Sequence, residues 1–132
     1  MPQLNFSPQF APKVESREKR QTIRATRKAP IKNGDTLHIF TGLRTKKARR
    51  LLPPQECTQA LDIVIRRKAL KNSKYIGLDV RLQFAGKLTR ERIEKLARED
   101  GFDSVEAFTA WFLPEGRDEF KGQLIKWNPD HG

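Results

Sequence analysis

Residues 75–101, YIGLDVRLQFAGKLTRERIEKLAREDG, change period in the middle. In the first half Ile76, Leu78, Val80, Leu82 and Phe84 alternate with Gly77, Asp79, Arg81 and Gln83, and a period of two puts one set on a buried sheet face. From Thr89 onward Ile93, Leu96 and Ala97 recur at helical spacing. Thr89 is placed to cap that helix, and Glu91 with Lys95 and Glu94 with Arg98 are spaced for ion pairs along it. Gly101 ends it, because glycine turns a chain left-handed at little cost. A strand that runs straight into a helix predicts an α+β fold.

Downstream, Asp103 and Glu106 are spaced as a capping box for a second helix, lined by Val105, Phe108 and Phe112 and stopped by Pro114. Residues 120–127, FKGQLIKW, read as a closing strand ending in a lid, Trp127. Upstream, residues 57–67 place Leu61, Ile63 and Ile65 on one strand face, followed by a turn at 71–74. Residues 36–42 form a strand through Leu37, Ile39 and Phe40, entered hairpin-like through the Asn-Gly turn of residues 32–35. Residues 20–26, RQTIRAT, suit a half-exposed strand on which Thr22 and Arg24 share a face. Before it come a short strand at 4–6 and a brief helix through Phe10 and Val14, limited by Pro12. Residues 43–50, LRTKKARR, are compatible with a basic loop, a strand edge or a short helix. Phe102, Phe108 and Phe112 are assigned to the core. This order predicts a small, mostly antiparallel sheet or barrel with helices packed at one side.

The 132 residues are the size of one domain, expected over 1–132. Lys and Arg number 27 against 16 Asp and Glu, a net charge of +11 that is unevenly spread. Residues 1–86 carry +13 and residues 87–132 carry −2. Three clusters hold the excess: one from Arg17 to Lys32, one from Arg44 to Arg50, and one from Arg66 to Lys74. Such clusters attract phosphates, so a polyanion partner is expected. The lone Cys57 excludes an intrachain disulfide framework and fits a reducing cytoplasm. With only His38 and His131 beside it, a zinc hydrolase, a Cys protease or a Ser-His-Asp site is hard to assemble, and no metal or cofactor is expected. No apolar run approaches the ~20 residues that cross a bilayer, and MPQLNFSPQF is not signal-like, so the expectation is a soluble cytoplasmic protein with no membrane partner.

Several short stretches together resemble ASCH domains of the PUA-like superfamily. They are Lys19 to Arg24, the Gly34-Asp35 turn, Thr41 to Lys46, Asp100-Gly101-Phe102, and Phe-x-Gly-x-Leu-Ile-x-Trp from Phe120 to Trp127. The family's Gly-x-Lys-x-x-Thr-x-Arg pattern is met by Lys19, Thr22 and Arg24, with Arg17 where glycine is usual. The resemblance spans nearly the whole chain. It implies a PUA-like β-barrel with a cleft between barrel and helices that takes RNA or a nucleoside-like ligand. Some members hydrolyse the amide of N(4)-acetylcytidine with a Lys, Thr and Glu constellation, and at least one cuts RNA. Lys19 and Thr22 match the first two positions, while the acid falls near Asp100, with Glu99 adjacent.

A threonine hydroxyl needs a base to become a nucleophile, and a lysine serves only where burial or a nearby cation lowers its pKa. Arg20 and Arg24 supply such cations, whereas a carboxylate beside Lys19 opposes the effect. Arg24, or a backbone N–H, is available to stabilise an oxyanion. The leading expectation is an RNA- or nucleoside-binding domain with a basic cleft around Lys19, Thr22 and Arg24, and with Arg20, Arg27, Lys28, Arg44, Lys46, Lys47 and Arg49 as further nucleic-acid contacts. The alternatives are a small hydrolase using Lys19, Thr22 and Asp100, and a basic module that binds an acidic protein. Tyr75 and Phe40 are candidates for base stacking, whereas Trp127 is assigned to the lid.

Overall fold

The alternating run after Pro53 and Pro54 becomes β5 (Gln55–Ala69), the strand on which the sheet is built. Leu61, Ile63 and Ile65 are buried along it, and Asp62 and Arg66 are exposed. The computed structural model describes residues 2–69 and 76–127. The expected turn at 71–74, and Tyr75, lie outside them.

Around β5 the elements in chain order are β1 (Gln3–Phe6), α1 (Ala11–Glu15), β2 (Gln21–Ala25), β3 (Thr36–Thr41) and β4 (Arg49–Arg50), then β6 (Ile76–Leu82), β7 (Gly86–Lys87), α2 (Arg90–Glu99), α3 (Val105–Phe112) and β8 (Glu119–Trp127). The fold is α+β, with β1 and β3 paired in parallel and every other described pairing antiparallel. β5 bonds β3 at its start, β8 along most of its length and β6 toward its end. β2 lies outside β8, and β1 outside β3.

Among the described residues the sheet is not closed, because no ladder joins β1 to β2 and a seam lies between them. Arginine side chains occupy that seam instead. Arg24 Nη2 donates to Asn5 O at 2.6 Å, and Arg27 Nη2 donates to Gln3 O. Period two explains the pairing: Thr41 Oγ1 and the His38 N–H bond the carbonyls of Phe6 and Pro2 on the β3 side, so those of Asn5 and Gln3 face outward.

Several expectations need correction. The Asn-Gly turn forms, with Gly34 at φ +90° and the Asp35 N–H bonded to Lys32 O at 3.0 Å, but it joins no hairpin. β2 pairs with β8, and the Asn33 side chain accepts from the Ala60 N–H. β2 is also less exposed than expected, with Gln21, Thr22 and Ile23 all buried. Phe84 leaves the alternation and sits 92% exposed, at φ +69°, in the turn between β6 and β7. On α2 Glu94 and Lys95 each have two opposite charges at helical spacing, and Glu94 pairs with Arg90 instead of Arg98 while Lys95 pairs with Glu99 instead of Glu91. Thr89 caps α2 as expected, accepting from the Arg92 N–H. α3 is capped one residue later than expected: Ser104, in extended backbone, accepts from the Ala107 N–H at 3.1 Å, and Asp103 remains exposed.

The core runs between the sheet and the helices. Phe102 packs edge-on against Phe10 and Phe108, with ring centres 5.2 and 5.6 Å away. Phe112 continues the stack to Phe120 at 5.0 Å. Trp127 is buried against Phe6 at 6.0 Å. Among the described residues no helix is long and apolar enough to cross a membrane.

Candidate functional site

The end of α2 fixes the acid of the site. The Phe102 N–H bonds Ala97 O at 2.9 Å and the Gly101 N–H bonds Arg98 O at 3.0 Å, the two bonds of a Schellman turn. Gly101 lies at φ +95°, and a Cβ there would meet the Phe10 ring at 3.0 Å and Lys19 Cδ at 3.2 Å. The turn points the Asp100 side chain inward, only 3% of the residue exposed, whereas Glu99 faces outward to Lys95.

Lys19 arrives from the other side. After α1 the chain reverses at Arg17, which holds φ +68°, and the Lys19 N–H bonds Lys13 O at 2.9 Å. The Lys19 side chain is also 3% exposed. Its Nζ donates to the Asp100 carbonyl oxygen and, at 3.1 Å, to Oδ1, with the ring centres of Phe10 and Phe6 at 5.0 and 5.8 Å. Lys13 Nζ donates to Gly101 O at 3.0 Å, so two cations meet the negative end of the α2 dipole. Gln21 Nε2 adds a long contact to Asp100 Oδ1 at 3.5 Å.

Burial governs the ionisation here. It pushes the Asp100 carboxyl up to about 6 against the pull of Lys19. It lowers the Lys19 ammonium, with Asp100 opposing. Burial and then the like charge of Arg27 lower Arg24 to about 10.

β2 contributes the rest. Thr22 and Arg24 share a face, as their spacing predicts, and Arg24 Nε donates to Thr22 Oγ1 at 3.0 Å. The guanidinium lies 4.8 Å from the Phe6 ring centre. An arginine donating to the hydroxyl oxygen favours its ionisation, but no hydrogen bond joins Lys19 to Thr22. With Lys19 committed to Asp100, the arrangement holds an ion pair and an arginine-bound hydroxyl, and among the described residues no base is poised on the hydroxyl.

Lys19, Thr22, Arg24 and Asp100 line one pocket of about 110 Å³ walled by Phe6, Phe10, Phe102 and Trp111. Beside it lies an open groove of about 690 Å³ that shares Asn5 and Arg24 and adds Arg27 and Arg44. Trp111 and Ser7 escaped the sequence reading. Trp111 is 49% exposed at the pocket and packs edge-on to Phe10 at 5.3 Å. Ser7 Oγ is buried in the pocket lining and finds no hydrogen-bond partner among the described residues. Trp111 falls outside the Phe108 and Phe112 stripe, and that is the one trace it leaves in the sequence.

Of the other basic residues, Arg20 is exposed and donates to Arg17 O at 3.0 Å, and Lys28, Lys46 and Lys47 are exposed. Arg49 on β4 pairs with Glu15 at 2.6 Å. Phe40 is covered by Arg50 at 4.7 Å. The two described side chains of the third basic cluster, Arg66 and Arg67, do not line the site. Arg66 pairs with Glu119, and Arg67 donates to Leu113 O at 2.7 Å beside a separate groove of about 1120 Å³ that includes Leu78 and Val105. The side chains of Lys68, Lys71 and Lys74 lie outside the description. Among the described residues no three His, Cys, Asp or Glu side chains gather as metal ligands. Comparison with protein-family models, curated proteins and solved structures finds no match to this chain.

Proposed function

We propose that this chain is an RNA- or nucleoside-binding domain that seats a base among Lys19, Thr22, Arg24 and Asp100. One observation carries the reading: a small pocket with aromatic walls and buried polar groups opens beside an arginine-lined groove. Aromatic faces stack on bases, while polar groups read their edges. Both hydrogen bonds to the Asp100 carboxylate fall on Oδ1, which leaves Oδ2 for a ligand N–H. The unpartnered Ser7 hydroxyl is a second such group.

The reading carries with it the resemblance to ASCH domains, and we propose a PUA-like barrel whose seam between β1 and β2 is bridged by arginines. Arg17 at φ +68° supports it, because left-handed backbone falls where the family carries glycine. Titration of mixed single-stranded RNA, by filter binding or fluorescence, tests the proposal. Affinity that weakens steeply with salt is expected, and no measurable affinity at low salt would refute it.

The convergence of Lys19, Thr22 and Asp100 on one pocket favours a second reading, a hydrolase acting on acylated pyrimidine nucleosides or on RNA. Burial raises the proton affinity of Asp100 and lowers that of Lys19, which is the direction acid and base work requires. Incubation with N(4)-acetylcytidine and with mixed RNA, beside Lys19→Ala and Thr22→Ala, decides it. Turnover lost in both variants supports the hydrolase, and turnover absent from the wild type or unchanged in the variants removes it.

A further inference from the structure

The pocket is too small for a whole nucleoside. Its volume is about 110 Å³, against the roughly 300–1,000 Å³ of sites that enclose a small-molecule ligand. A base seated there must leave its sugar outside, and the groove sharing Asn5 and Arg24 is the adjoining space. We infer that the groove over the seam between β1 and β2 is a phosphate subsite, so that the ligand is a phosphorylated nucleoside, with its base in the pocket and a phosphate held by Arg24, Arg27 and Arg44.

The lining of the groove, Gln3, Asn5, Arg24, Arg27, Leu43 and Arg44, holds three guanidinium groups and no carboxylate. Each guanidinium carries five donors, and the Arg27 hydrogen bond to Gln3 O uses one, so the carbonyl fixes the side chain while the fork stays open to an oxyanion. Arg44 is held at φ +68°, a conformation glycine adopts at lower cost. The Leu43 N–H donates to Asn5 Oδ1 at 3.0 Å, and the Thr45 N–H to Gly42 O at 3.0 Å. A residue of the groove therefore ties down the turn that presents Arg44. The like charges of Arg24 and Arg27 lie close enough for one to affect the other's ionisation, and an anion between them would relieve that repulsion.

This inference rests on the reading that the pocket takes a base, and one titration separates the two. Tryptophan fluorescence is followed while the four ribonucleosides, their 5′-monophosphates and the homotrinucleotides are added at low salt to the wild type and to an Arg27→Ala, Arg44→Gly double variant. In the wild type a phosphorylated form should bind roughly tenfold or more tightly than its nucleoside. That advantage should shrink as salt rises and fall to about one in the variant. An advantage already complete in the monophosphate identifies a free nucleotide, and one that appears only in the trinucleotide identifies an internucleotide phosphate; either supports the subsite. Equal binding of nucleosides and phosphorylated forms, or an advantage that survives in the variant, overturns the subsite and leaves the base pocket standing. Wild-type protein that binds none of the probes overturns the base pocket and the subsite together.

Discussion

Lys19 and Asp100 are an ion pair that the fold maintains against the cost of burial. Removing two charges from water is expensive, and their attraction only partly offsets it. Both pKa displacements run in the direction of lost hydration. Replacing the pair by apolar side chains, Lys19→Met with Asp100→Leu, should therefore leave stability unchanged or raise it by about 1–4 kcal/mol, whereas Lys19→Met alone should lose about 3–5 kcal/mol by stranding the carboxylate. Urea unfolding at pH 7 measures both. The raised Asp100 pKa also fixes a pH dependence. The folded state binds the proton more tightly than the unfolded chain, so this contribution is present below about pH 4 and is lost as pH rises through about 6. The stability of the wild type relative to Asp100→Asn should fall across that interval, and a rise would contradict the burial of the acid. At Arg17, where the backbone is left-handed, Arg17→Gly should be more stable than Arg17→Ala by about 0.5–1 kcal/mol, since both remove the side chain and only glycine relieves the backbone. A lower unfolding midpoint in the glycine variant than in the alanine variant would contradict this.

Helix ends and strand contacts determine how elements bring the site together. Ser104 caps α3 and Asp103 does not, so Ser104→Ala should cost about 1 kcal/mol and Asp103→Ala little. Equal losses by thermal or urea unfolding would restore the capping box. Gly122 on β8 lies against β2, where a Cβ would stand 2.2 Å from Arg24 O. Gly122→Ala should force β2 away from β8 and destabilise the chain by roughly 1–3 kcal/mol, weakening ligand binding with it. The alternation of β5 and the cap of α2 were legible because a buried face and a capped end leave local marks. The exit of Phe84 from β6 was not, since alternation says which face a residue occupies and nothing of where the strand stops. Nor was the partner of β2, which follows from a long-range register with β8.

Among the described residues the positive charge divides into a part that surrounds the pocket and a part that does not. The first two basic clusters meet at the seam, where Arg24, Arg27 and Arg44 line one groove, while Arg66 and Arg67 are answered by Glu119 and Asp118. Sequence showed the excess of charge, and the fold decides which part of it lines the groove. Likewise Lys19, Thr22 and Asp100 were legible as candidates through their residue types and the resemblance, but the separation of Lys19 and Thr22 into different hydrogen bonds required coordinates. The function proposed above requires this pocket to bind the base of a nucleoside or RNA. The most direct test titrates single-stranded RNA, at low salt, into the wild type and into the Lys19→Met, Asp100→Leu double variant with folding monitored alongside. Salt-dependent binding by the wild type is expected, with at least tenfold weaker binding by a double variant that is as stable or more so. Equal affinity in the two proteins would contradict it.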